Sequence, residues 1–433
     1  MKVGFISLGC SKNLVDTEMC IGLFKKNNFT ITNNPKEADI IVINTCGFIE
    51  SAKKEAIDTI LEMAEYKKGC CKYLIVMGCL VQRYKEELEK NLPEVDLFLK
   101  IDDYKNIWEK INNLIKANSY TCKDLQYLNR VISTGNTTAY LKIAEGCSNY
   151  CTYCAIPYIR GNYVSRPWED IIKEAESLAA KGFKELIVIA QDTTKYGIDL
   201  YGKSMLPQLL NTLSNIEGIS WVRFLYAYPE SITEELIKTV KNNNKICNYF
   251  DIPIQHISDT ILKRMNRKTN KAEIISLIKR IRTKIPEAII RTSLIVGFPG
   301  ETKEDFQELA EFVKQTKFDK LGVFMYSKED GTPAQKLPNQ IHTNTKKARH
   351  KVIMEIQQKI SNENLKNKIG KIYNTLIENL TEDKKYYIGR TYADVPEMDG
   401  IVFIKNKENL KFGEFVNCRI TDVLDYDLIG EII

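Results

Sequence analysis

No stretch of this 433-residue chain approaches the roughly 18 consecutive apolar residues that a membrane-spanning helix requires. The N-terminus MKVGFISLGC lacks the long apolar core and small-residue cleavage site of a secretory signal peptide. A cytoplasmic protein without membrane association is therefore expected. In that compartment 12 cysteines read as metal ligands and free thiols rather than disulfide partners. Charge of one sign is not in large excess: the net charge of +6 is modest for this length. Only three histidines are present, and none lies near the densest run of cysteines.

That run is EGCSNYCTYCAIP, in which Cys147, Cys151 and Cys154 follow a C-x3-C-x2-C spacing. Three thiolates in one short loop favour zinc or an iron–sulfur cluster over hard cations. At this spacing a cubane is left with one iron that has no protein ligand, and an open coordination position suggests chemistry. Zinc would want a fourth protein ligand close by. The next cysteine, Cys247, lies 93 residues beyond Cys154. Iron–sulfur is the preferred reading and a zinc knuckle the alternative. Tyr153, between two of the thiols, could cover one face of a cluster and its cofactor, or simply pack.

At roughly 100–200 residues per domain, the length suggests about three domains. VGFISLGC, DIIVINTC and YLIVMGC are short runs rich in Val and Ile, expected as buried strands of a parallel sheet. Residues 51–66 carry apolar side chains at helical spacing and should pack on that sheet. This domain is expected over residues 1–118. After a polar bridge, the alternation resumes at 137 with AYLKIAE, ELIVIAQ, VRFLYAY, NYFDIPI, AIIRTSLIV and KLGVFMY, separated by helical stretches such as 170–180 and 271–285. Repeated βα units predict an α/β barrel over 137–335, and about six strands favour a partial one. Residues 336–368 read as a helical connector. In 369–433, IGKIYNTLIEN, KYYIGRT, GIVFIK and FVNCRITDVL read as strands of a small antiparallel β-barrel.

Cys10, Cys46 and Cys79 are far apart in sequence, yet each directly follows a strand candidate. The carboxyl ends of parallel strands line the binding crevice of such a sheet, so the three thiols could meet there and hold a second cluster. The alternative is three buried small apolar side chains. Cys20, Cys70, Cys71, Cys122, Cys247 and Cys418 lack this placement and read as structural. Further strand-end groups are expected around the central site: Gln191 and Asp192 after ELIVIA, Gln255 and His256 after NYFDIPI, and GFPGE with Gly297 and Gly300 after RTSLIV. The glycines permit close backbone approach to a ligand, or merely a turn. Thr302 can cap the helix that follows. Arg160 and Arg291 could meet a substrate carboxylate, or pack. No acid or base catalyst stands out.

GCSNYCTYC resembles the signature of radical S-adenosylmethionine enzymes. The chain as a whole is similar to the methylthiotransferase family, with an N-terminal three-cysteine domain, a radical domain and a C-terminal TRAM domain. SLGCSKNLVDTE, NTCGFIESAKKEAIDTI, AEGCSNYCTYCAIPYIRG, QDTTKYG, DIPIQH, GFPGET and GRTYADVPEMDG resemble one branch of it, the ribosomal-protein methylthiotransferases acting on an aspartate of small-subunit protein twelve. The sister branch, acting on isopentenyl-adenosine-37 of transfer RNA, opens with GCQMN-like residues where this chain has Gly9-Cys10-Ser11-Lys12-Asn13. Thr194 replaces the usual serine after QDT, a conservative departure.

The resemblance implies two [4Fe–4S] clusters and S-adenosylmethionine. Cys147, Cys151 and Cys154 would hold the radical cluster, whose open iron chelates S-adenosylmethionine. Cys10, Cys46 and Cys79 would hold an auxiliary cluster that presents sulfur. A deoxyadenosyl radical would take hydrogen from the aspartate β-carbon, and a second S-adenosylmethionine would supply the methyl. Tyr153, Gln191, Gly297 and Gly300 are then cofactor candidates, and Arg160, Asp192, Gln255, His256 and Arg291 substrate candidates. The protein would work as a monomer, with an electron donor and a sulfur source as further partners.

Two charge patterns bear on the substrate. Between 335 and 371, nine basic residues (Lys336, Lys346, Lys347, Arg349, Lys351, Lys359, Lys366, Lys368, Lys371) are opposed only by Glu355 and Glu363. This stretch could touch nucleic acid or be a solvated helix face. The tail 369–433 holds eight Lys and Arg against twelve Asp and Glu. A module gripping transfer RNA should be basic, whereas an acidic one suits a basic ribosomal protein. Transfer RNA is thus the runner-up substrate, and a non-catalytic, zinc-holding ribosome or RNA adaptor the distant alternative.

Overall fold

A computed structural model describes residues 1–116, 122–406 and 409–433, which form two compact units. The first consists of Met1–Ser133, Glu145–Val164 and Ser327–Gln335; the second of Thr134–Ala144, Ser165–Tyr326 and Lys336–Ile433. Residue 118, the expected end of the first domain, lies outside the described residues, as do Lys407 and Glu408 of the tail.

The first unit is built on a parallel sheet of order β2-β1-β3-β4-β5, with β1 Lys2–Ser7, β2 Thr30–Thr32, β3 Ile40–Thr45, β4 Tyr73–Gly78 and β5 Leu97–Leu99. The three central strands are those expected from sequence. At three residues each, β2 and β5 are too short to show a period. Every residue of β3 is buried, so IIVINT reads as a continuous run rather than an alternation. Helices α1 (Ser11–Lys26), α2 (Glu50–Ala64), α3 (Cys79–Asn91) and α4 (Ile107–Ile115) pack on this sheet. Ile40 and Val42 point to one face, with Leu23 and Phe24 of α1 and Trp108 of α4. Ile41 and Ile43 point to the other, with Ile60 of α2 and Leu80 of α3, as the strand period of two dictates. Phe24 stands edge-on to Phe29 and Trp108, each at 5.3 Å. Such pairs are worth about 0.5–1.5 kcal/mol each beyond their buried area.

In the second unit, β6 (Thr138–Lys142), β7 (Glu185–Ile189), β8 (Trp221–Phe224), β9 (Tyr249–Asp251), β10 (Ile289–Val296) and β11 (Lys320–Met325) form two three-stranded parallel sheets, β8-β7-β6 and β9-β10-β11. Helices α5 (Trp168–Ala180), α6 (Leu206–Ser214), α7 (Glu234–Asn242), α8 (Lys271–Lys284) and α9 (Lys303–Thr316) alternate with them. This is the partial α/β barrel expected. Thr302 starts α9 as anticipated: its Oγ1 accepts from the Asp305 N–H at 3.1 Å, and the Asp305 carboxylate accepts from the Thr302 N–H at 2.9 Å.

The 24-residue α10 (Thr343–Lys366) leads into a closed barrel of β12 (Ile372–Leu380), β13 (Tyr386–Arg390), β14 (Val402–Lys405), β15 (Phe415–Val423) and β16 (Leu428–Ile432), in the order β12-β13-β14-β16-β15. The expectation of an antiparallel barrel needs one correction, because β14 and β16 run parallel. An odd number of strands cannot alternate direction all the way round a closed ring. The strand β16 was not anticipated; LIGEI is short and acquires its identity from pairing with β15 and β14.

Part of the basic stretch is consumed by packing in this unit. Lys346 donates to the Tyr326 carbonyl at 2.7 Å, and Arg349 pairs with buried Glu301 at 3.2 Å. Lys347, Lys351 and Lys359 remain exposed. The small barrel is anchored by buried charge. Arg390 pairs with Glu185 of β7 and with Glu378, and Arg223 of β8 shares Glu185 at 2.8 Å. Burial opposes ionisation of Glu185, but the two guanidinium groups still hold its carboxyl below the usual carboxylate range.

Asp394 offers a test of this packing. It is buried, and Lys320 lies 2.9 Å away. Despite burial, the charges of Lys320 and Lys368 bring its pKa down to about 2. A depressed carboxylate stabilises the fold above its unfolded pKa of about 3.9 and stops doing so as pH falls through the folded value. Asp394→Asn should cost about 2–3 kcal/mol at neutral pH in urea unfolding, and the deficit should narrow as the pH falls from about 4 to about 2.

Candidate metal centre

Each N-terminal cysteine sits where a parallel strand gives way to a helix. Cys10 is the N-cap of α1, Cys79 is the first residue of α3, and Cys46 directly follows β3. Helix N-termini favour negative charge, so two of the thiols are placed where thiolate is stabilised. Asn13, one turn into α1, ties the three loops together. Its Nδ2 donates to the carbonyls of Leu8 and Thr45, each at 3.0 Å, just before Cys10 and Cys46. Its Oδ1 accepts from the Cys79 thiol at 3.4 Å. Gly9 is left-handed at φ 92°, and a Cβ there would stand 2.7 Å from Cys46 Cβ, so the Cys10 and Cys46 loops abut.

The three thiols differ in ease of ionisation. Cys10 is exposed yet has protein on most sides, so burial works against its thiolate. The charges of Lys12 and Arg160, with backbone donors, outweigh this and lower its pKa. Burial pushes Cys46 up to about 12, and raises Cys79 despite the adjacent Arg160. A metal group held by these thiols would therefore displace protons from Cys46 and Cys79.

The second set lies in the same unit. Cys147 and Cys151 are buried and Cys154 is half-buried. Their loop is shaped by backbone contacts: the Cys147 N–H donates to the Gly161 carbonyl at 3.1 Å, and the Cys154 N–H to that of Cys151 at 3.0 Å. Gly146 is at φ 73°, and a Cβ on it would lie 2.1 Å from the Asn162 carbonyl oxygen, so no other residue fits. Tyr153 is half-buried between its two cysteines. The chain then enters the short helix Ile156–Arg160, where Ala155 and Ile159 share a small buried apolar cluster with Cys79. Cys79 of the first set thus packs against the segment that follows the second set.

Among the described residues no three His, Cys, Asp or Glu side chains converge as a single metal ion would require. All 12 cysteines are thiols without a disulfide. Of the six read as structural, Cys20, Cys71, Cys247 and Cys418 are buried, Cys122 is half-buried and Cys70 is exposed.

The remaining candidate residues divide by environment. Arg160 belongs to the first unit and is buried; it pairs with Asp16 and Glu145, each at 2.9 Å, rather than presenting its charge to solvent. Polar α1 residues Asn13 and Asp16 are buried too, and a reading of α1 as an ordinary amphipathic helix misses them; their signal was the polar run SKNLVDTE directly after a cysteine. In the second unit, Arg291 pairs with Asp251 at 2.8 Å. Asp192 is buried and accepts from the Thr194 N–H at 3.1 Å, capping a turn. Gln191 is half-buried at the carboxyl end of β7. Gln255 bridges to β10 with a left-handed φ of 70°. His256 is fully buried, its Nδ1 accepting from the Ser258 N–H at 3.0 Å and its Nε2 lying 3.8 Å from Glu301. Both glycines of GFPGE have positive φ, but their open sides are filled by this chain: a Cβ on Gly297 would meet Lys346 at 2.3 Å, and one on Gly300 would meet Arg264 at 2.8 Å.

Family models match along the chain: uncharacterized protein family UPF0004 over residues 2–100, the radical SAM superfamily over 141–313 and the TRAM domain over 369–433. The ribosomal protein uS12 methylthiotransferase RimO of Alkaliphilus oremlandii is 65% identical over 434 residues, covering 100% of this chain and 99% of that protein. The chain belongs to the ribosomal protein uS12 methylthiotransferase family. Relatives of the same name from Acetivibrio thermocellus and Clostridioides difficile are each 53% identical over 100% of this chain, covering 98% and 99% of their own lengths. Among solved structures, the radical S-adenosylmethionine methyltransferase TsrM of Kitasatospora setae, with tryptophan and a SAM analogue bound, matches with TM-score 0.55 at 12% identity, covering 74% of this chain and 72% of that one. The cobalamin-dependent radical enzyme OxsB matches with TM-score 0.51 at 14% identity, covering 83% and 56%. At those identities the likeness concerns fold alone.

As a methylthiotransferase of the radical SAM superfamily, the chain takes [4Fe–4S] clusters and S-adenosylmethionine as cofactors. Its thiols fit such groups: soft ligands in sets of three, partly buried, two of them at helix N-termini. Gly146→Ala tests the second loop. Its Cβ has no room and its φ is costly, so the variant should lose about 2–3 kcal/mol in stability. Iron retained after anaerobic reconstitution should fall towards half, while Gly161→Ala, with nothing within 4 Å of its Cβ, should lose less.

Proposed function

We propose that this chain replaces a hydrogen on the β-carbon of an aspartate in small-subunit ribosomal protein uS12 with a methylthio group, giving 3-methylthioaspartate. The observation carrying this reading is the gathering of two three-thiol sets in one compact unit, within a chain alike over its full length to proteins named for that substrate. Cys147, Cys151 and Cys154 hold the radical cluster; Cys10, Cys46 and Cys79 hold the auxiliary one. When bound, these clusters and S-adenosylmethionine supply the hydrogen-abstracting radical, the sulfur and the methyl.

The chain's own contribution is to hold, orient and shield. The left-handed Gly146 turn and the Cys147–Gly161 hydrogen bond shape the radical loop. Burial of Cys147 and Cys151 excludes water from one side of the reacting groups. Tyr153 is the cofactor candidate of the first unit, set between two of the cluster cysteines, and Gln191 is a cofactor candidate of the second, at the carboxyl end of β7. Gly297 and Gly300 act through the shape of their loop, since Lys346 and Arg264 occupy the space beside them. Asp192, Gln255, His256 and Arg291 shape the strand-end surface for the substrate, and Arg160 acts from within the first unit. We take the domains as 1–118, 137–335, 336–368 and 369–433, as the sequence reading has them.

The acidic tail favours the protein substrate. Asp422, Asp425 and Glu431 are exposed on the small barrel, a surface suited to a basic ribosomal protein and unsuited to phosphate. The enzyme works as a cytoplasmic monomer, with electrons and replacement sulfur supplied by outside partners.

Incubation with S-adenosylmethionine and a reductant, offering uS12 and transfer RNA separately, should add a methylthio group to the uS12 aspartate and none to adenosine-37. The opposite pattern overturns the substrate assignment. Replacing Cys10, Cys46 and Cys79 together by alanine should lower iron from about eight to about four per chain. Methylthio product should vanish while reductive cleavage of S-adenosylmethionine continues.

A further inference from the structure

Arg160 lies six residues past the radical loop, yet its side chain ends among the residues of the other thiol set. Nη2 donates to Asn13 Oδ1 at 2.6 Å and to Asp16 at 2.9 Å, and lies 3.5 Å from Cys79 Sγ. Nη1 donates to Glu145 at 2.9 Å. The side chain is 1% exposed. Burial works against its charge, but Glu145, Asp16 and the thiols of Cys79 and Cys10 more than offset this and keep it protonated. It is thus a permanent buried cation in contact with one N-terminal thiol and with the asparagine that ties all three loops.

We propose that Arg160 is the positioning residue of the N-terminal thiol set, whose buried charge raises the reduction potential of the cluster held there and ties that site to the folding of the Cys147–Cys154 loop. The physical reason is simple. Adding an electron to a thiolate-ligated cluster adds negative charge in a poorly solvated place, and a fixed cation alongside favours the reduced state. Asp16 and Glu145 hold the fork in place while partly cancelling its field. Lysine could supply the charge, but not the planar fork whose two ends meet Glu145 on one side and Asn13 and Asp16 on the other. This inference rests on the reading that Cys10, Cys46 and Cys79 hold a cluster.

The test uses the full chain with Cys147, Cys151 and Cys154 replaced by alanine, reconstituted anaerobically with iron and sulfide, so that only the N-terminal set reports. If this protein binds no cluster with Arg160 intact, the reading of that set fails. If it does, its midpoint potential is measured by reductive titration followed by electron paramagnetic resonance. Arg160→Gln should lower the reduction equilibrium constant about tenfold, which is about 59 mV for one electron. Arg160→Lys should recover most of that shift. Glu145→Gln, at a partner whose side chain is 31% exposed, should move the potential upward. If Arg160→Gln does not load a cluster, Glu145→Gln decides alone. A loaded cluster whose potential is unmoved by these substitutions, or moves the same way in Arg160→Gln and Glu145→Gln, overturns the proposal.

Discussion

Burying thiols beside charged groups without leaving those charges unanswered is the constraint around which the first unit is built. A thiol in a protein interior resists ionisation, as Cys46 and Cys79 do. A thiol that is to ligate a metal, the role proposed for these two, needs the opposite. The fold answers by placing thiols at strand-to-helix junctions, where backbone N–H groups and the helix dipole point at them. It also brings a buried guanidinium to Cys79. That cation in turn requires buried carboxylates, which is why α1 carries Asp16 on a face that an ordinary helix would fill with leucine. A buried charge left without its partner costs several kcal/mol, so these residues form a mutually dependent set.

The same logic, applied to structure alone, operates in the second unit. Glu185 is buried on β7 and is answered by Arg223 and Arg390, one from a neighbouring strand and one from the small barrel. Buried ion pairs of this kind add less net stability than apolar packing would, but they tolerate few alternative arrangements. Through Arg390 the small barrel is paired to Glu185 of the parallel strands, while its exposed acidic residues remain available to solvent.

Much of this was legible in advance. Near-continuous Val and Ile runs mark parallel strands because both faces are covered, and that pattern is local. The C-x3-C-x2-C loop is legible because its cysteines are neighbours in the chain. The positions of Cys10, Cys46 and Cys79 after strands were legible too, since all carboxyl ends of a parallel sheet face one way. Short elements were not: three-residue β2 and β5 and the last barrel strand owe their existence to their partners. The role of Gly297 and Gly300 was legible only as permissiveness, and what occupies the space beside them came from helices elsewhere in the chain.

What the amino-acid order by itself determined, then, is the alternation of elements and the type of metal chemistry, because period and ligand spacing act over a few residues. Tertiary structure alone decided that Arg160 answers Cys79 across 81 positions and that Asn13 ties three cysteine loops. It also decided that a five-stranded ring contains one parallel pair. These are long-range outcomes of packing and closure, and a buried charge acquires its partner only when distant segments have been driven together by the burial of everything around it.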